Sequence, residues 1–222
     1  MSDPARIYLI DDHPVIRHGV RAVLERHDDL RVCGEASDAE EALPYLRDHE
    51  VDIALVDLVL DGASGFDLIK RIRSEHDDLP LLVLSIGEEH LYAPRALRAG
   101  ANGYLMKGAP PNEIVGAVRA VLDGGTYVSD DLRDRLVREM ATGKPAPVGT
   151  PAEQLSDREL EVFELIGRGL ITRDIAERLN LSVKTIETYR LKIKQKIGLS
   201  NATEVVQHAV LWVNRRQLNA AA

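Results

Sequence analysis

The first 125 or so residues alternate short, β-rich apolar runs with segments of helical periodicity, and this alternation narrows the available folds more than any other feature. The runs are RIYLI (6–10), LRVCGEA (30–36), VDIALV (51–56), LLVLS (81–85) and GYLMK (103–107). Between them apolar residues recur at three- and four-residue spacing: Ile16, Val20, Val23 and Leu24, then Ala42 and Leu46, then Phe66, Leu68, Ile69 and Ile72, then Ala93, Ala96 and Leu97. Runs this apolar leave no face for water, so they suit a parallel sheet covered by helices on both sides. The expected fold of residues 1–125 is α/β, doubly wound, with five parallel strands. Ser37 with Glu40 reads as a capping box opening the second helix, and Pro44 falls inside that helix. A fifth helix over 111–122 is expected to stop at Gly124–Gly125.

The pattern then changes. Residues 126–154 read as a linker, with an amphipathic helix at 130–140 followed by ATGKPAPVGTPAEQ (141–154), an extended and flexible stretch. From 155 to 222 only helical periodicity is left. Ser156 with Glu159 makes a capping box, Thr172 is a candidate cap for 173–179, Ser182 for 183–197 with Gly198 as its stop, and Asn201 with Glu204 opens a last helix, 201–213. Four short helices imply a small all-α domain.

Charge divides the chain at the same place. The net charge is −8, but from Leu155 onward 11 Lys or Arg face 8 Asp or Glu, while before it 17 face 28, so the halves carry +3 and −11. Opposite signs suggest different partners. No apolar stretch approaches the ~18 residues of a membrane span, and the first residues lack the basic-then-apolar order of a secretion signal, so a cytoplasmic location is expected. Cys33 is the one cysteine, which excludes an intrachain disulfide and a cysteine-held zinc, and it is expected at a small apolar strand position.

In open α/β sheets, binding sites gather at the carboxyl ends of the strands. Those ends carry Asp11 and Asp12, then Asp57, Ser85 and Lys107. Singly, each has an ordinary explanation: Asp12 can cap a helix starting at Pro14, and Ser85 can be a turn residue. All five at strand ends make a coherent phosphoryl-transfer site. A carboxylate nucleophile needs Mg2+ to neutralise charge, for which Asp12 and Asp57 are candidate ligands with Asp11 holding a water or tuning charge. Lys107 offers a cation to phosphoryl oxygens, and the Ser85 hydroxyl offers a hydrogen bond made only once the phosphoryl is present. The seven histidines do not gather at metal-ligand spacing, and His13 reads as leading into a helix at Pro14.

Together with ANGYLMK (101–107), these residues resemble the receiver domain of two-component response regulators, and DDHPVIRHGV, LVDLVLDGASGFDLI and GANGYLMKGAP resemble the NarL/FixJ branch. The resemblance implies that Asp57 is a phosphoacceptor served by a sensor histidine kinase. It also implies that Asp12, Asp57 and the Val59 carbonyl bind Mg2+, and that Ser85 and Tyr104 form a switch pair in which Tyr104 turns into space vacated by Ser85. Two positions depart from the common pattern: Asp61 and Gly108 stand where many receivers have proline. Asp61 adds negative charge near the site, and Gly108 leaves the loop after Lys107 less constrained. Val59 and Gly87 offer no side chain to orient a hydrolytic water, so slow self-dephosphorylation is expected.

Near the other end, TRDIAERLNLSVKTIETYRLKIKQKIG (172–198) reads as helix, tight turn and a second helix bearing Lys184, Arg190, Lys192, Lys194 and Lys196 against one acid, Glu187. Ala176 and Ile186 fall where crossing helices need a small and an apolar contact. The charges alone would suit a solvated amphipathic helix of an ordinary bundle, but helix, tight turn and basic second helix together favour helix-turn-helix binding of double-stranded DNA, with phosphate contacts setting affinity. This stretch and LSDRELEVFELIGRGL (155–170) resemble the LuxR-type domain. That resemblance places Lys184, Thr185, Thr188 and Lys192 toward DNA, lets Thr172 and Arg173 reach phosphates, and lets the last helix pair two copies on two-fold related half-sites. Glu187 and Tyr189 depart from the usual Lys and His, and an acid there either accepts from cytosine N4 or repels phosphate.

The leading expectation is a phosphorylation-controlled transcription factor and not an enzyme, with activation by dimerisation or by relief of occlusion. An aspartate-nucleophile phosphatase would need a second acid two residues beyond Asp57, where Val59 stands. A regulator that ignores phosphate would keep its output in an Asp57→Asn variant.

Overall fold

The structure is a computed structural model that describes residues 3–60, 63–142 and 151–220. Asp61 and residues 143–150 of the expected linker lie outside the described residues. Contacts divide the chain into two compact units, Met1–Val137 and Arg138–Ala222.

In the first unit, β1 (Ala5–Ile10), β2 (Leu30–Ala36), β3 (Ile53–Val56), β6 (Leu81–Ser85) and β7 (Gly103–Met106) form a parallel sheet in the order β2-β1-β3-β6-β7. Chain order reverses at β1, whose neighbours are β2 on one side and β3 on the other, and this switch point opens a crevice at the strands' carboxyl ends. Strand alternation supplies both faces. Ile7, Leu9, Ile53, Leu55, Leu82 and Leu84 pack with α1 (Pro14–Leu24) and α5 (Pro111–Leu122). Opposite them Tyr8, Ala54, Val56 and Val83 are buried beside α2 (Ala39–Asp48), α3 (Gly65–Glu75) and α4 (Glu89–Ala99). Tyr8 stacks on Tyr45 of α2 with ring centres 4.4 Å apart, and Phe66 of α3 on Tyr92 of α4 at 6.3 Å.

Several local expectations shift. The second helix is capped by Asp38 rather than Ser37: its carboxylate accepts from the Glu40 and Glu41 amides, while Glu41 bonds back to the Ser37 amide. Two backbone donors on one carboxylate outweigh a hydroxyl, so the capping pair moves by one residue. Pro44 is accommodated without ending the helix. A two-stranded hairpin that periodicity did not show, β4 (Val59–Leu60) with β5 (Ala63–Ser64), follows β3 directly. Cys33 is half-buried at an irregularity in the β1–β2 register, its thiol 3.3 Å from the Ile7 carbonyl.

After α5 the chain forms α6 (Asp130–Thr142), two residues longer than expected. The last four linker residues are a 3-10 turn, Pro151–Gln154, with Ala152 buried, so this part of the expected extended stretch is folded. In the second unit α7 (Asp157–Gly167), α8 (Thr172–Arg178), α9 (Val183–Lys196) and α10 (Ala202–Ala220) surround Leu160, Phe163, Ile175, Ile186, Ile193 and Ala209. The Ser156–Glu159 capping box forms in both directions. Gly167 is required by the α7–α10 crossing, since a Cβ there would lie 2.4 Å from the Ala209 carbonyl oxygen. Thr172 is the first residue of α8 and Ile171 occupies the cap without a side-chain bond, contrary to the expected Thr172 cap. Among the described residues no helix is long and apolar enough to cross a membrane.

Candidate functional site

The crevice between β1 and β3 gathers the expected acids. Asp11 and Asp12 follow β1, Asp57 follows β3, and suitable oxygen or nitrogen atoms of Asp11, Asp12, His13 and Asp57 all lie within 4.8 Å of one another. Asp57 is 2% exposed. One of its oxygens is 2.7 Å from the Lys107 ammonium, and Oδ1 is buried with no hydrogen-bond partner among the described residues. Lys107 also stands 2.7 Å from Asp11 Oδ2, so one cation bridges two carboxylates. Asp11 Oδ1 accepts from the His13 backbone N–H at 2.8 Å, which commits both its oxygens. Asp12 does not cap α1; His13 is at the cap position, and its Nδ1 is 2.5 Å from Asp12 Oδ1.

Burial raises the Asp57 carboxyl to about 6, because removal from water penalises the charged form more than Lys107 and the Val59 backbone N–H favour it, and the Asp11 charge adds to the rise. For Lys107 burial pulls downward, and Asp57 with Asp11 outweighs it, so its ammonium is held charged.

Gly65 fixes the Asp57 main chain from behind. Its N–H donates to the Leu58 carbonyl at 3.0 Å, and a Cβ there would lie 2.3 Å from the Asp57 carbonyl oxygen. Ser85, 1% exposed at the end of β6, accepts from the Gly87 N–H at 3.3 Å, and its carbonyl accepts from the Lys107 N–H at 2.9 Å. Tyr104 is fully buried and its hydroxyl donates to the Gly87 carbonyl at 2.7 Å. Spacing did not reveal Arg17: its guanidinium donates to the Asp11 carbonyl and pairs with Glu35 at 3.0 Å, bracing the turn that carries both acids. The signal available was an arginine one turn into the helix after the acid pair.

In the second unit, α8 and α9 meet through Ala176 and Ile186, both buried, as the spacing requires. Asn180 in the turn has φ 51°, and the Leu181 N–H donates to the Ala176 carbonyl at 2.8 Å, closing α8 with a left-handed residue. Ser182 caps α9 by accepting from the Thr185 N–H at 3.1 Å. Lys184, Glu187, Thr188 and Lys192 are exposed along α9, Thr185 is half-buried, and on α8 Arg173 is exposed and Thr172 half-buried. Lys192 lies over the Tyr189 ring at 5.9 Å. Lys196 is separate from this set: its ammonium is 2.6 Å from buried Glu159 and ties the end of α9 to the start of α7.

Known proteins resemble the chain along both units. Residues 7–119 match the response regulator receiver domain, and residues 153–209 match the bacterial regulatory proteins of the luxR family. The chain is 33% identical to the response regulator UvrY of Escherichia coli K12 over 204 residues, 92% of this chain and 93% of that one. It is 36% identical to the oxygen regulatory protein NreC of Staphylococcus carnosus over 209 residues, 92% and 96% of the two chains. RcsB of Salmonella enterica serovar Typhimurium, solved bound to promoter DNA with the phosphomimetic BeF3−, shares 25% identity and a TM-score of 0.68 over 92% of this chain and 98% of that one. The chain therefore belongs to the NarL/FixJ family of two-component response regulators, a receiver domain followed by a luxR-type DNA-binding domain, and is a transcription regulator and not an enzyme.

Proposed function

We propose that Asp57 takes a phosphoryl group from a sensor histidine kinase and that its phosphorylation controls DNA binding by α9. The observation that carries this is a buried Asp57 oxygen, without a hydrogen-bond partner among the described residues, beside Asp11, Asp12 and Lys107 at the sheet's switch point. Hard oxygen donors in this number fit Mg2+, with Asp12, Asp57 and the Val59 carbonyl as ligands and Asp11 supporting. When bound, Mg2+ supplies the positive charge that lets a carboxylate approach an anionic phosphoryl group.

An Asp57 oxygen forms the new O–P bond as the N–P bond of a phosphohistidine breaks and returns its electron pair to the imidazole. Lys107, already against Asp57, pairs with the transferred oxygens. Ser85 donates its hydroxyl to one of them, and buried Tyr104 holds the loop position through Gly87. Domain limits of 1–125 for the receiver, 126–154 for the linker and 155–222 for the DNA-binding domain follow from the two sequence patterns.

On the output side, Lys184, Thr185, Glu187, Thr188 and Lys192 face the major groove while Thr172 and Arg173 contact phosphate. Promoter binding by RcsB supports this reading, as does the exposure of the α9 residues. A phosphorylation-dependent homodimer on two-fold related half-sites, acting in the cytoplasm, completes it. The test is DNA affinity of the full chain with and without Mg2+ and beryllium fluoride, beside residues 150–222 alone. A change on adding beryllium fluoride is expected; equal affinity in all three removes the switch.

A further inference from the structure

Helices α6 and α7 begin in nearly the same way, but α6 borrows half of its cap from another element. In α7 both halves of the capping box are local: the Ser156 hydroxyl accepts from the Glu159 amide, and the Glu159 carboxylate accepts from the Ser156 amide at 2.7 Å. At α6 the Ser129 hydroxyl accepts from the Leu132 amide at 3.2 Å, and Leu132 has no carboxylate to return the bond. The Ser129 amide donates instead to Glu89 Oε1 at 2.7 Å, in the first turn of α4. The capping box is therefore split between two helices.

The residues just before Ser129 are tied to the same region. Tyr127 forms a parallel bridge with Gly103 on the β7 edge, accepting from the Tyr104 N–H at 2.8 Å and donating to the Asn102 carbonyl at 3.1 Å. A Cβ on Gly103 would lie 2.9 Å from the Tyr127 carbonyl oxygen, so glycine is what lets this strap lie flat on the sheet. The Tyr127 hydroxyl donates to Glu113 of α5 at 3.1 Å, while Val128 and Leu132 are buried. Tyr104 thus holds the strap with its amide and the β6–α4 loop with its hydroxyl, through Gly87, two residues before Glu89.

We propose that the split capping box is a relay: the position of the β6–α4 loop, set at Ser85, determines whether Glu89 reaches the Ser129 amide and hence how firmly the first turn of α6 is held. The relay rests on the phosphoryl reading of Asp57 and Ser85. A Ser85 hydroxyl drawn toward a phosphoryl group moves away from the Gly87 amide that now binds it, and α4 starts two residues further on. A carboxylate at a helix start satisfies an otherwise free donor and complements the positive end of the helix dipole. Losing it loosens the first turn of α6, a helix that runs past the Val137–Arg138 boundary between the two compact units.

The experiment is hydrogen exchange of amides 129–134 in the full chain, with and without Mg2+ and beryllium fluoride, with beryllium binding followed separately by fluorine NMR. Wild type is expected to change its exchange by about fivefold or more on binding. Glu89→Ala is expected to exchange fast in both states while binding beryllium fluoride as wild type does. Glu89→Gln, which keeps an acceptor, should restore part of the ligand-dependent difference. A Glu89 that merely stabilises the fold would raise exchange equally in both states and leave the difference intact, which overturns the relay. Beryllium fluoride that binds wild type without altering these amides also overturns the relay and leaves the Asp57 reading standing. Beryllium fluoride that fails to bind overturns both.

Discussion

The acidic crevice and the basic helix use charge in opposite ways. At the crevice the Asp57 and Lys107 side chains are 2% and 6% exposed and lie 2.7 Å apart, so their energies are set by burial and by each other. On α9, Lys184 and Lys192 stand in water. Burial makes charge chemically specific and barely sensitive to salt, whereas exposure makes it long-ranged and readily screened. In the proposed function, the input would thereby depend on a single carboxylate and the output on several weak contacts.

The largest effect is expected at Asp57. Asp57→Asn is expected to abolish labelling by acetyl phosphate and the DNA-affinity response to beryllium fluoride, measured by autoradiography and fluorescence anisotropy. No substitution on α9 should have an all-or-none effect. Lys184→Ala should instead weaken DNA binding across sequences and reduce the slope of log affinity against log salt by about 1. Lys196→Ala sharpens the contrast within one helix. It removes the cation from buried Glu159, which keeps its bond from the Ser156 amide, and should cost about 1 kcal/mol in urea denaturation while leaving the salt slope unchanged.

The pH dependence of stability separates the two regions again. The Asp57 carboxyl is ordinarily near 3.8 and stands at about 6 in the folded chain. Between those values the folded state keeps a proton that the unfolded chain has released, so this group's contribution to stability falls as pH rises from about 4 to about 6 and is then constant. Without divalent cation, the stability of Asp57→Asn relative to wild type should therefore grow over that window, by up to about 3 kcal/mol, in melts at stepped pH. The smallest effect is expected in the turn of the second unit. Asn180→Val places a branched residue at φ 51° and should cost about 1–2 kcal/mol, while Asn180→Gly should be close to neutral.

Period and punctuation were enough to locate the five sheet strands, the Ser156–Glu159 box, the Ser182 cap and the convergence of Asp11, Asp12, Asp57 and Lys107. Each rests on local chemistry or on the rule that strand ends gather at one rim. What escaped depends on contacts remote in sequence. The β4–β5 hairpin has two residues per strand, too few for any period to register. Asp38 and Ser37 are adjacent candidate caps, and which one wins is decided by how many amides the carboxylate reaches. The strap at Tyr127 pairs through a single bridge, and Glu89 caps a helix that begins 41 residues later. A basic residue count placed Lys196 with the others on α9, since nothing in that count shows Glu159 beside it.

Gly65 has a mechanical consequence. With the start of α3 pressed against the Asp57 and Leu58 main chain, closer than any side chain permits, the peptide behind Asp57 has no room to recoil. A phosphoryl group on Asp57, as proposed, would find no room on that side. Across the crevice Ser85 is held to the Gly87 amide by a hydrogen bond of 3.3 Å, so under the proposed phosphorylation movement is expected there rather than at α3.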